Sequence, residues 1–533
     1  MAHLPTSSQA VTTDRHWFWI LALVAVVLWF IGLGGMPLRD WDEGTYALLA
    51  REMVRSGDWL HLSMFGQPFW LKPPLAIWAM ALGYGVSGGE GLASPWLEFS
   101  LRLPLAIVTA LGVPLLYCVG RQLFRHPHQA VYPAVVYLTL LPVVRHGRLA
   151  MLDGIVNTWM ILLFLCLLKA RKQPPWAVGI GLCLAAIALT KGILVLAIGA
   201  IAGLYVLLSH HWSLFRNPYA WLGLLLGTVL TGAWYGVQYQ TYGPDFLAVH
   251  FGVQGFDRLG RAVEGNDGPV WYYLLEILKY GWPWLVFFPV GLKQAGQQWR
   301  TWGLFALLGF GVFLTVVSGM GTKLPWYLFP CYPFLAVIVG GYFATGQRPG
   351  QGYGYFFAFL TVATIAGGIY LGVTDPQLPL LITAALATLT FSTVARVLLH
   401  PQHEEWQGDR LFIPLAVGLY LSLASFFCSQ AWVWEVNEQF PVQSIGTMLQ
   451  AQTPPDAVIY MSHPDSRPSL EFYSDRPLIP TDLPTLQAQH LHHYLLVDTP
   501  TRDAIGPAME LATAEGFHLL APQSTQQDDP SDP

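Results

Sequence analysis

Charged residues are scarce in this chain of 533 residues: they make up 11% of the sequence, whereas hydrophobic residues make up 54%. The net charge is only -5, and no stripe of basic residues alternates with aromatic ones. This composition speaks against a nucleic-acid partner. It also excludes an ordinary soluble protein, because many apolar runs approach the roughly 20 residues that a helix needs to cross a bilayer.

Cysteine is scarce as well, and its five positions form no CxxC pair and no regular spacing. All five lie in or beside apolar runs, so we interpret them as buried structural thiols rather than as a metal site or a disulfide framework. The sequence also lacks the glycine patterns of the Rossmann and Walker nucleotide-binding motifs.

The apolar runs predict a polytopic α-helical membrane protein with about 13 transmembrane helices. A cytoplasmic tail, residues 1–16, carries Arg15 just before the first run, which we interpret as a retained signal anchor rather than a cleaved signal peptide. The transmembrane region extends over residues 17–428. The predicted spans are 17–35, 101–119, 130–144, 155–168, 177–189, 193–208, 221–237, 271–291, 302–317, 327–343, 353–373, 378–399 and 411–428.

Alternate threading of these spans places at least one basic residue in each predicted cytoplasmic turn, as the positive-inside rule requires. The N-terminus is therefore expected in the cytoplasm. Residues 36–100 and 238–270 become extracytoplasmic loops. Basic residues that violate the rule lie on this outer side, mostly beside acids, glycines or aromatics, as expected for a site that binds an anionic ligand. Besides those of the loop 36–100, they are Arg145, Arg148, Lys191, Arg258, Arg261 and Lys323.

Residues 429–533 differ in character and predict a small extracytoplasmic α/β domain. Expected strands are 457–461, 470–473, 494–497 and 519–521, with a helix over 503–515 and a disordered end over 523–533. His463, Asp465 and Arg467 are interpreted as parts of a solvated turn.

The loop after the first span holds an unusual concentration of charge, with three acids within four residues at Asp40, Asp42 and Glu43. Asp40 followed by Glu43 matches a capping box, which predicts a helix from here to about Ser56 with Gly57 as its stop. Capping is accordingly the expected role of Asp40 and the main expected role of Glu43.

Asp42 is different because it shares one helical face with Tyr46, Leu49 and Met53. A carboxylate on an apolar stripe, near the positive end of a helix dipole, indicates a functional group.

Other ionisable residues are predicted at span boundaries on the same outer side. Lys72 precedes Pro73-Pro74, which favour a new helix, and a lysine there is best explained by an anion that shares the site. Lys72 and the other candidates on this side each also have a plain interfacial or hydrogen-bonding interpretation. The remaining candidates on this side are Asp153, Lys191, His250, Arg261 and Lys323.

Together these motifs resemble the GT-C membrane glycosyltransferases, in particular the lipid A aminoarabinose transferases and protein O-mannosyltransferases (glycosyltransferase family 39). The resemblance extends to about Phe343. Its carriers are Asp42-Glu43-Gly44-Thr45-Tyr46, Arg51-Glu52-Met53, Trp70-Leu71-Lys72-Pro73-Pro74, Arg148–Asp153, Leu189-Thr190-Lys191-Gly192 and Lys323–Pro333.

The resemblance implies the GT-C fold, a place in the inner (plasma) membrane, and transfer of a sugar from a polyisoprenyl-phosphate donor to a lipid, glycan or protein acceptor. It implies that Asp42 is essential and acts at the acceptor nucleophile, and that Lys72 is associated with the donor phosphate. The sequence departs from the aminoarabinose transferases at Leu71, where they carry an acid, and at Thr45, where they carry an arginine. The sugar and a divalent metal cofactor are therefore left open.

The chemistry of such a transfer agrees with these residues. An anionic phosphate leaving group needs cations, for which Lys72, Lys323 and one of Arg51 and Arg261 are candidates. The acceptor needs a base, with Asp42 the first choice and Glu43 the second. The alternatives are a transporter or flippase of a lipid-linked or anionic substrate, for which no internal repeat is found, and a non-catalytic membrane scaffold. Tyr46, which shares the helical face of Asp42, completes the set of candidate substrate-binding residues.

Overall fold

The structure is a computed structural model, and it describes residues 7–87, 96–263, 265–400, 408–432 and 442–523. The described residues form α-helices joined by short 3-10 and π-helical segments, with a few short strands. The helices are α1 Ser7–Phe30, α2 Asp42–Ser56, α3 Leu75–Val86, α4 Leu97–Ala110, α5 Gly112–Leu123, α6 Pro127–Leu138, α7 Leu141–Arg148, α8 Leu152–Lys169, α9 Val178–Lys191, α10 Leu194–Leu208, α11 Pro218–Tyr242, α12 Pro244–Leu247, α13 Asp257–Gly260, α14 Tyr272–Tyr280, α15 Phe288–Gln297, α16 Leu304–Gly319, α17 Tyr332–Ala344, α18 Gln351–Thr374, α19 Leu378–Leu399, α20 Asp409–Phe426, α21 Val442–Gln452, α22 Pro468–Ser474, α23 Leu483–Gln489 and α24 Thr499–Ile505.

The strands are β1 Ser63–Met64, β2 Gln67–Pro68, β3 Ile459–Met461, β4 Leu478–Pro480, β5 Tyr494–Asp498, β6 Glu510–Ala514 and β7 Phe517–Leu520. The 3-10 segments are Pro174–Ala177, Trp212–Arg216, Trp284–Phe287 and Pro325–Cys331, and the π-helical segments are Ala248–Phe256 and Trp299–Gly303.

The chain is a multi-span membrane protein. Among the described residues, nine helices are long and apolar enough to cross a bilayer, and each coincides with one of the 13 predicted spans. Two further predictions fall on α1 and on α10, a shorter apolar helix. The count of 13 stays a prediction.

Two predicted spans are broken in the structure, and a proline lies at each break. The run 130–144 is divided between α6 and α7, with Pro142 in the first turn of α7. The run 271–291 is interrupted at Pro283, between α14 and the 3-10 segment Trp284–Phe287. Proline has no backbone N–H to donate within a helix, so an apolar run that contains it need not be one continuous helix. The new helix expected after Pro73-Pro74 is α3.

The chain divides into two compact units. The first contains the described residues of Met1–Leu33, Trp70–Ala76 and Arg102–Trp432, and the second those of Gly34–Phe69, Ile77–Leu101 and Val433–Pro533. Most of the predicted loop 36–100 thus groups with the C-terminal residues, whereas its Lys72 segment belongs to the first unit. The predicted boundary at residue 428 stays a prediction.

Three buried arginines stabilise the first unit around Trp432. Arg145 donates from Nε to the Trp432 carbonyl at 2.6 Å. Arg148 donates to the Leu28 carbonyl at 2.8 Å, and its guanidinium lies 4.8 Å from the centre of the Trp432 ring. Arg102 lies on the same ring at 5.6 Å. These arginines, two of which were counted among the outer-side basic residues, therefore join the helices to one another through carbonyls and an aromatic face.

In the second unit, the C-terminal residues form a five-stranded sheet in the order β4-β3-β5-β7-β6. β3 pairs in parallel with β4 and β5, whereas β7 pairs antiparallel with β5 and β6. Leu486, Leu495, Val497 and Leu520 form a buried cluster of this region.

Two local predictions in this region are wrong. Residues 470–473 lie in α22 and not in a strand, because Pro468 begins a helix there. The helix expected over 503–515 is instead α24 followed by β6, because the chain turns at Gly506, whose φ is +88°. The predicted strands at 457–461, 494–497 and 519–521 overlap β3, β5 and β7. Of the end expected to be disordered, residues 524–533 lie outside the described residues.

Candidate active site

Helix α2 has the predicted extent, from Asp42 to Ser56, and Gly57 ends it in the left-handed conformation at φ +72°. Its start differs from the prediction. Trp41 is the N-cap residue, and no side chain caps the helix. The capping role expected of Asp40 is therefore wrong.

Asp40 instead binds residues that are far away in the sequence. Its carboxylate accepts the Ser469 backbone N–H at 2.9 Å, and it also contacts the Ser469 hydroxyl and the Arg467 guanidinium. Asp40 is fully buried and Arg467 is 3% exposed. The interpretation of Arg467 as part of a solvated turn is therefore wrong as well. Within the second unit, this contact joins the start of the acidic loop to α22.

Glu43 is also fully buried, and its Oε2 accepts the Arg39 backbone N–H at 2.7 Å. This bond fixes the chain just before α2, much as the acid of a capping box does, although it acts one residue upstream of the expected position. The geometry assigns Glu43 a structural contact and leaves its catalytic role a prediction.

Asp42 is only partly buried, and the hydroxyl of Tyr46 donates to its Oδ1 at 3.1 Å. Tyr46, Leu49 and Met53 are each at most 2% exposed. The shared face predicted from the spacing is thus the buried face of α2, with Asp42 at its N-terminal edge. A carboxylate in the first turn also interacts favourably with the positive end of the helix dipole.

Arg51 lies in the second unit, on the side of α2 that contacts α22. Its guanidinium donates to the Phe472 carbonyl at 2.8 Å and forms an ion pair with Asp475 at 2.9 Å. Burial lowers the pKa of Arg51, and the Asp475 charge opposes that shift. These contacts within the second unit explain Arg51 structurally, so its role as a substrate ligand stays a prediction.

The first unit contains a cavity of about 330 Å³ in which four of the predicted site residues meet. One part of its lining is charged or polar, and the rest is aliphatic or aromatic. The polar lining consists of Lys72, Asp153, Lys191, His250, Gln254, Arg258 and Tyr327, and the apolar lining includes Leu194, Leu196, Ala197, Phe256, Leu259, Phe313, Val316 and Met320. The arrangement suits a ligand with an anionic head and a hydrocarbon chain.

Lys191 and Asp153 form an ion pair in this cavity, with Nζ 2.5 Å from Oδ1. Their side chains are 18% and 5% exposed. Asp153 lies in the first turn of α8 and Lys191 in the last turn of α9. In these positions each charge interacts favourably with the dipole of its own helix. α9 ends at Gly192, whose φ of +40° favours glycine, and an added Cβ would lie 3.3 Å from His250 Nε2.

Both ring nitrogens of His250 are hydrogen-bonded. Nδ1 lies 2.7 Å from the Trp70 carbonyl, and Nε2 lies 2.9 Å from the Tyr235 hydroxyl. Burial lowers the pKa of His250, and the Lys72 charge lowers it further, while the bond to the carbonyl acts in the opposite direction. Because the Trp70 carbonyl can only accept a hydrogen bond, Nδ1 carries a proton and donates it to that carbonyl. His250 thus fixes the segment that carries Lys72.

Lys72 donates from Nζ to Gln254 Oε1 at 3.4 Å. Gln254 belongs to the π-helical segment that also holds His250. The two elements therefore place the ammonium at the polar part of the cavity.

Sequence reasoning missed Arg258 as a site residue. It lies in α13, is 8% exposed, and donates to the Tyr327 hydroxyl at 2.9 Å. Tyr327 also lies under Lys191, whose Nζ is 5.0 Å from the ring centre. The available signal was that Arg258 is one of the basic residues that violate the positive-inside rule.

Two other predicted ligands do not line the cavity. Lys323 donates to the carbonyls of Val317, Ser318 and Met320 at 3.2, 2.7 and 2.5 Å, and burial lowers its pKa. It therefore satisfies the C-terminal carbonyls of α16, two of which belong to lining residues. Arg261 is 70% exposed and pairs with Asp257 at 2.5 Å. For both residues, phosphate binding stays a prediction.

The sequence leaves a divalent metal cofactor open. In the part of the chain that the structure describes, no three His, Cys, Asp or Glu side chains gather closely enough to hold a metal ion.

Similarity to known proteins agrees with this architecture. The family model for dolichyl-phosphate-mannose-protein mannosyltransferases matches residues 71–235, a segment that contains Lys72, Asp153 and Lys191 but not Asp42. The crystal structure of ArnT from Cupriavidus metallidurans bound to undecaprenyl phosphate superposes with a TM-score of 0.76 over 95% of this chain and 98% of that chain, at 20% identity. The chain has the GT-C fold.

The sequence resemblance to this group of transferases is confirmed. An undecaprenyl phosphate-alpha-4-amino-4-deoxy-L-arabinose arabinosyl transferase of Edwardsiella ictaluri is 32% identical over 342 residues, which are 61% of this chain and 59% of that protein. The protein of the same name from Shewanella sediminis is 26% identical over 86% of this chain and 84% of its own length. The chain thus spans about three fifths of the length of the first relative.

Proposed function

We propose that this GT-C protein is an integral-membrane glycosyltransferase that moves a sugar from a polyisoprenyl-phosphate donor to a lipid, glycan or protein acceptor. The observation that carries the proposal is the cavity of the first unit. Its charged part contributes three cations, Lys72, Lys191 and Arg258, against one carboxylate, Asp153. Its remaining lining is apolar. A phosphate attached to an isoprenoid chain has the same division between a charged head and an apolar tail.

The cations have a direct chemical task. When the sugar leaves its donor, negative charge develops on the phosphate, and fixed cations in a desolvated site stabilise that charge as it forms. Lys191 is held by Asp153, Arg258 by Tyr327, and Lys72 by the segment that His250 fixes. Because these contacts exist before the ligand arrives, little reorganisation is required in the reaction.

Asp42 is the proposed general base for the acceptor hydroxyl or amine. Asp40 and Glu43 are fully buried and bonded to protein groups, whereas Asp42 is partly exposed and bonded to Tyr46. Of the three acids, Asp42 is therefore the one with access to an acceptor. We place the protein in the inner membrane, with a cytoplasmic N-terminus and with the acidic loop and C-terminal residues on the outer side, because the predicted cytoplasmic turns all contain basic residues.

The test is to incubate the purified protein with polyprenyl-phosphate sugars and to analyse lipid and protein products by mass spectrometry. Undecaprenyl-phosphate aminoarabinose is the first donor to try, since the relatives are named for it. Asp42→Asn should lower transfer at least about 100-fold, the usual contribution of a general base. Asp58→Asn, the same change at an exposed acid of the same loop, should not.

Two outcomes would contradict the proposal at different points. Full activity of Asp42→Asn would remove the base assignment while leaving the transferase intact. Absence of transfer from every donor, together with substrate uptake by the protein in proteoliposomes, would favour the transporter.

A further inference from the structure

Two cavities rich in arginine lie at the end of the first unit that is away from the candidate active site. α8 begins beside Asp153 and continues for 18 residues to Lys169, a length of about 27 Å. α9 returns from the 3-10 segment Pro174–Ala177 to Lys191. The turn that joins these helices is therefore separated from the active-site cavity by the length of the helices.

Both cavities are formed by the turns at this end of the bundle, and Arg171 lines both. Their volumes are about 560 and 270 Å³. The larger one adds Arg300 and His210, and the smaller one adds Arg216 and His211. None of the residues that line either cavity is an Asp or Glu. The local charge is thus positive without an internal counter-ion.

His211 gives independent evidence for a ligand. The residue is 8% exposed, and its Nδ1 lies 3.2 Å from the Ser209 hydroxyl. Its Nε2 is buried and has no hydrogen-bond partner among the described residues. Buried polar atoms almost always have a partner. A group that accepts or donates a hydrogen bond is therefore expected in the smaller cavity.

The apolar residues of the same cavities indicate what kind of anion would bind. Leu168, Leu208, Leu304 and Trp299 line the larger cavity beside the arginines. A free phosphate ion would gain nothing from this apolar lining, whereas a lipid would place its head on the arginines and its acyl chains on the leucines. Arginine is suited to phosphate because its planar guanidinium donates two parallel hydrogen bonds.

We propose that these two cavities bind the phosphate headgroup of an anionic bilayer lipid, at the membrane face opposite the candidate active site. The inference is independent of the transferase assignment, since it uses none of the residues of that site. It also gives a role to Arg171, whose one hydrogen bond among those described is to the Ser209 carbonyl at 3.3 Å.

The test uses the purified full-length chain in detergent micelles that contain phosphatidylcholine and increasing amounts of phosphatidylglycerol. Native mass spectrometry counts the phosphatidylglycerol molecules retained on the protein. The unaltered protein should retain phosphatidylglycerol in preference to phosphatidylcholine. Arg171→Gln should weaken this retention about fivefold, and Arg171→Gln combined with Arg216→Gln about 25-fold, the usual effect of basic residues on an anionic lipid.

The matched control is Arg125→Gln. Arg125 follows Leu123, a lining residue of the larger cavity, by two positions, but it lines neither cavity. Its loss should leave retention unchanged. Melting temperatures in pure phosphatidylcholine verify that each variant is folded.

Three results would overturn the proposal. The first is equal retention of the two lipids by the unaltered protein, a measurement that does not depend on any variant. The second is an equal loss in Arg125→Gln, which would indicate diffuse surface charge. The third is complete displacement of phosphatidylglycerol by an equal concentration of inorganic phosphate, which would mean that the site takes the free ion.

Discussion

Variants of the ion pair between Lys191 and Asp153 can separate what these two residues contribute to stability from what they contribute to ligand binding. Lys191→Met removes the ammonium and leaves the Asp153 carboxylate, 5% exposed, without its partner. Loss of one partner of a buried pair costs about 3–5 kcal/mol of unfolding free energy. Since Lys191 is 18% exposed, we expect a value near the lower end, about 3 kcal/mol.

Asp153→Asn should cost less, about 1–2 kcal/mol, because the remaining lysine is more exposed. Lys191 also keeps the face of Tyr327, 5.0 Å away. The double variant Asp153→Asn/Lys191→Met has no isolated charge and should be more stable than Lys191→Met alone, with a coupling of about 2 kcal/mol. Lys293→Met, at an exposed lysine, is the matched control and should change stability by less than about 0.5 kcal/mol.

Binding should follow a different order. The double variant and Lys191→Met both lack the cation, so each should bind undecaprenyl phosphate about tenfold more weakly, the effect of one charge-assisted contact. Asp153→Asn keeps the cation and removes the competing carboxylate, so its affinity should rise. Unfolding in detergent and titration with undecaprenyl phosphate measure the two quantities. Equal instability of Lys191→Met and the double variant, or recovered binding in the double variant, would refute the reasoning.

Three further perturbations test other parts of the structure. Burial raises the pKa of Glu471 to about 7 from an ordinary 4.5. The folded state therefore keeps a proton that the unfolded state releases, so the free energy of unfolding falls as the pH rises from about 5 to 7. Glu471→Gln should remove this pH dependence, and its stability advantage over the parent protein, measured by thermal unfolding, should grow by at most about 3 kcal/mol up to pH 8. His250→Leu should lose the bond to the Trp70 carbonyl and raise the KM for the donor lipid more than it lowers kcat, and an unchanged KM would count against its positioning role. Gly44→Ala should destabilise the protein by about 1–3 kcal/mol, because its methyl group would meet the backbone of α22. Gly85→Ala places its methyl group in open space and should not destabilise the protein. Equal melting temperatures of the two variants would contradict the contact at Gly44.

The sequence was most informative where local chemistry decides the structure. Helix α2 could be located from its acidic start and from Gly57, because both signals act within one helical turn of the helix end. The helix termini at Asp153 and Lys191 were visible for the same reason, as charges and a glycine that interrupt apolar runs. These residues then meet in the cavity because they lie at adjoining ends of α8 and α9.

Features that depend on distant residues were not accessible. Arg258 looks like any loop arginine until its burial and its bond to Tyr327, 69 positions away, are known. The short apolar run 470–473 is a different case: periodicity alone cannot decide between a strand and a helix, but Pro468, just upstream, favours the first turn of a helix. In the runs 130–144 and 271–291, Pro142 and Pro283 were also usable local signals, because each lies where its predicted span breaks, whereas Pro133 lies inside α6.

The acidic loop shows why this distinction matters for experiments on the catalytic base. Asp40 matches a capping box locally, yet its carboxylate is committed to Arg467 and Ser469, more than 400 positions away. Asp40→Asn would weaken the partner of the buried Arg467. Removal of one partner of a buried ion pair costs about 3–5 kcal/mol of unfolding free energy. Loss of transfer in that variant would therefore report on folding of the second unit. Only loss of transfer with an unchanged melting temperature, as we expect for Asp42→Asn, identifies a group that acts in the chemistry.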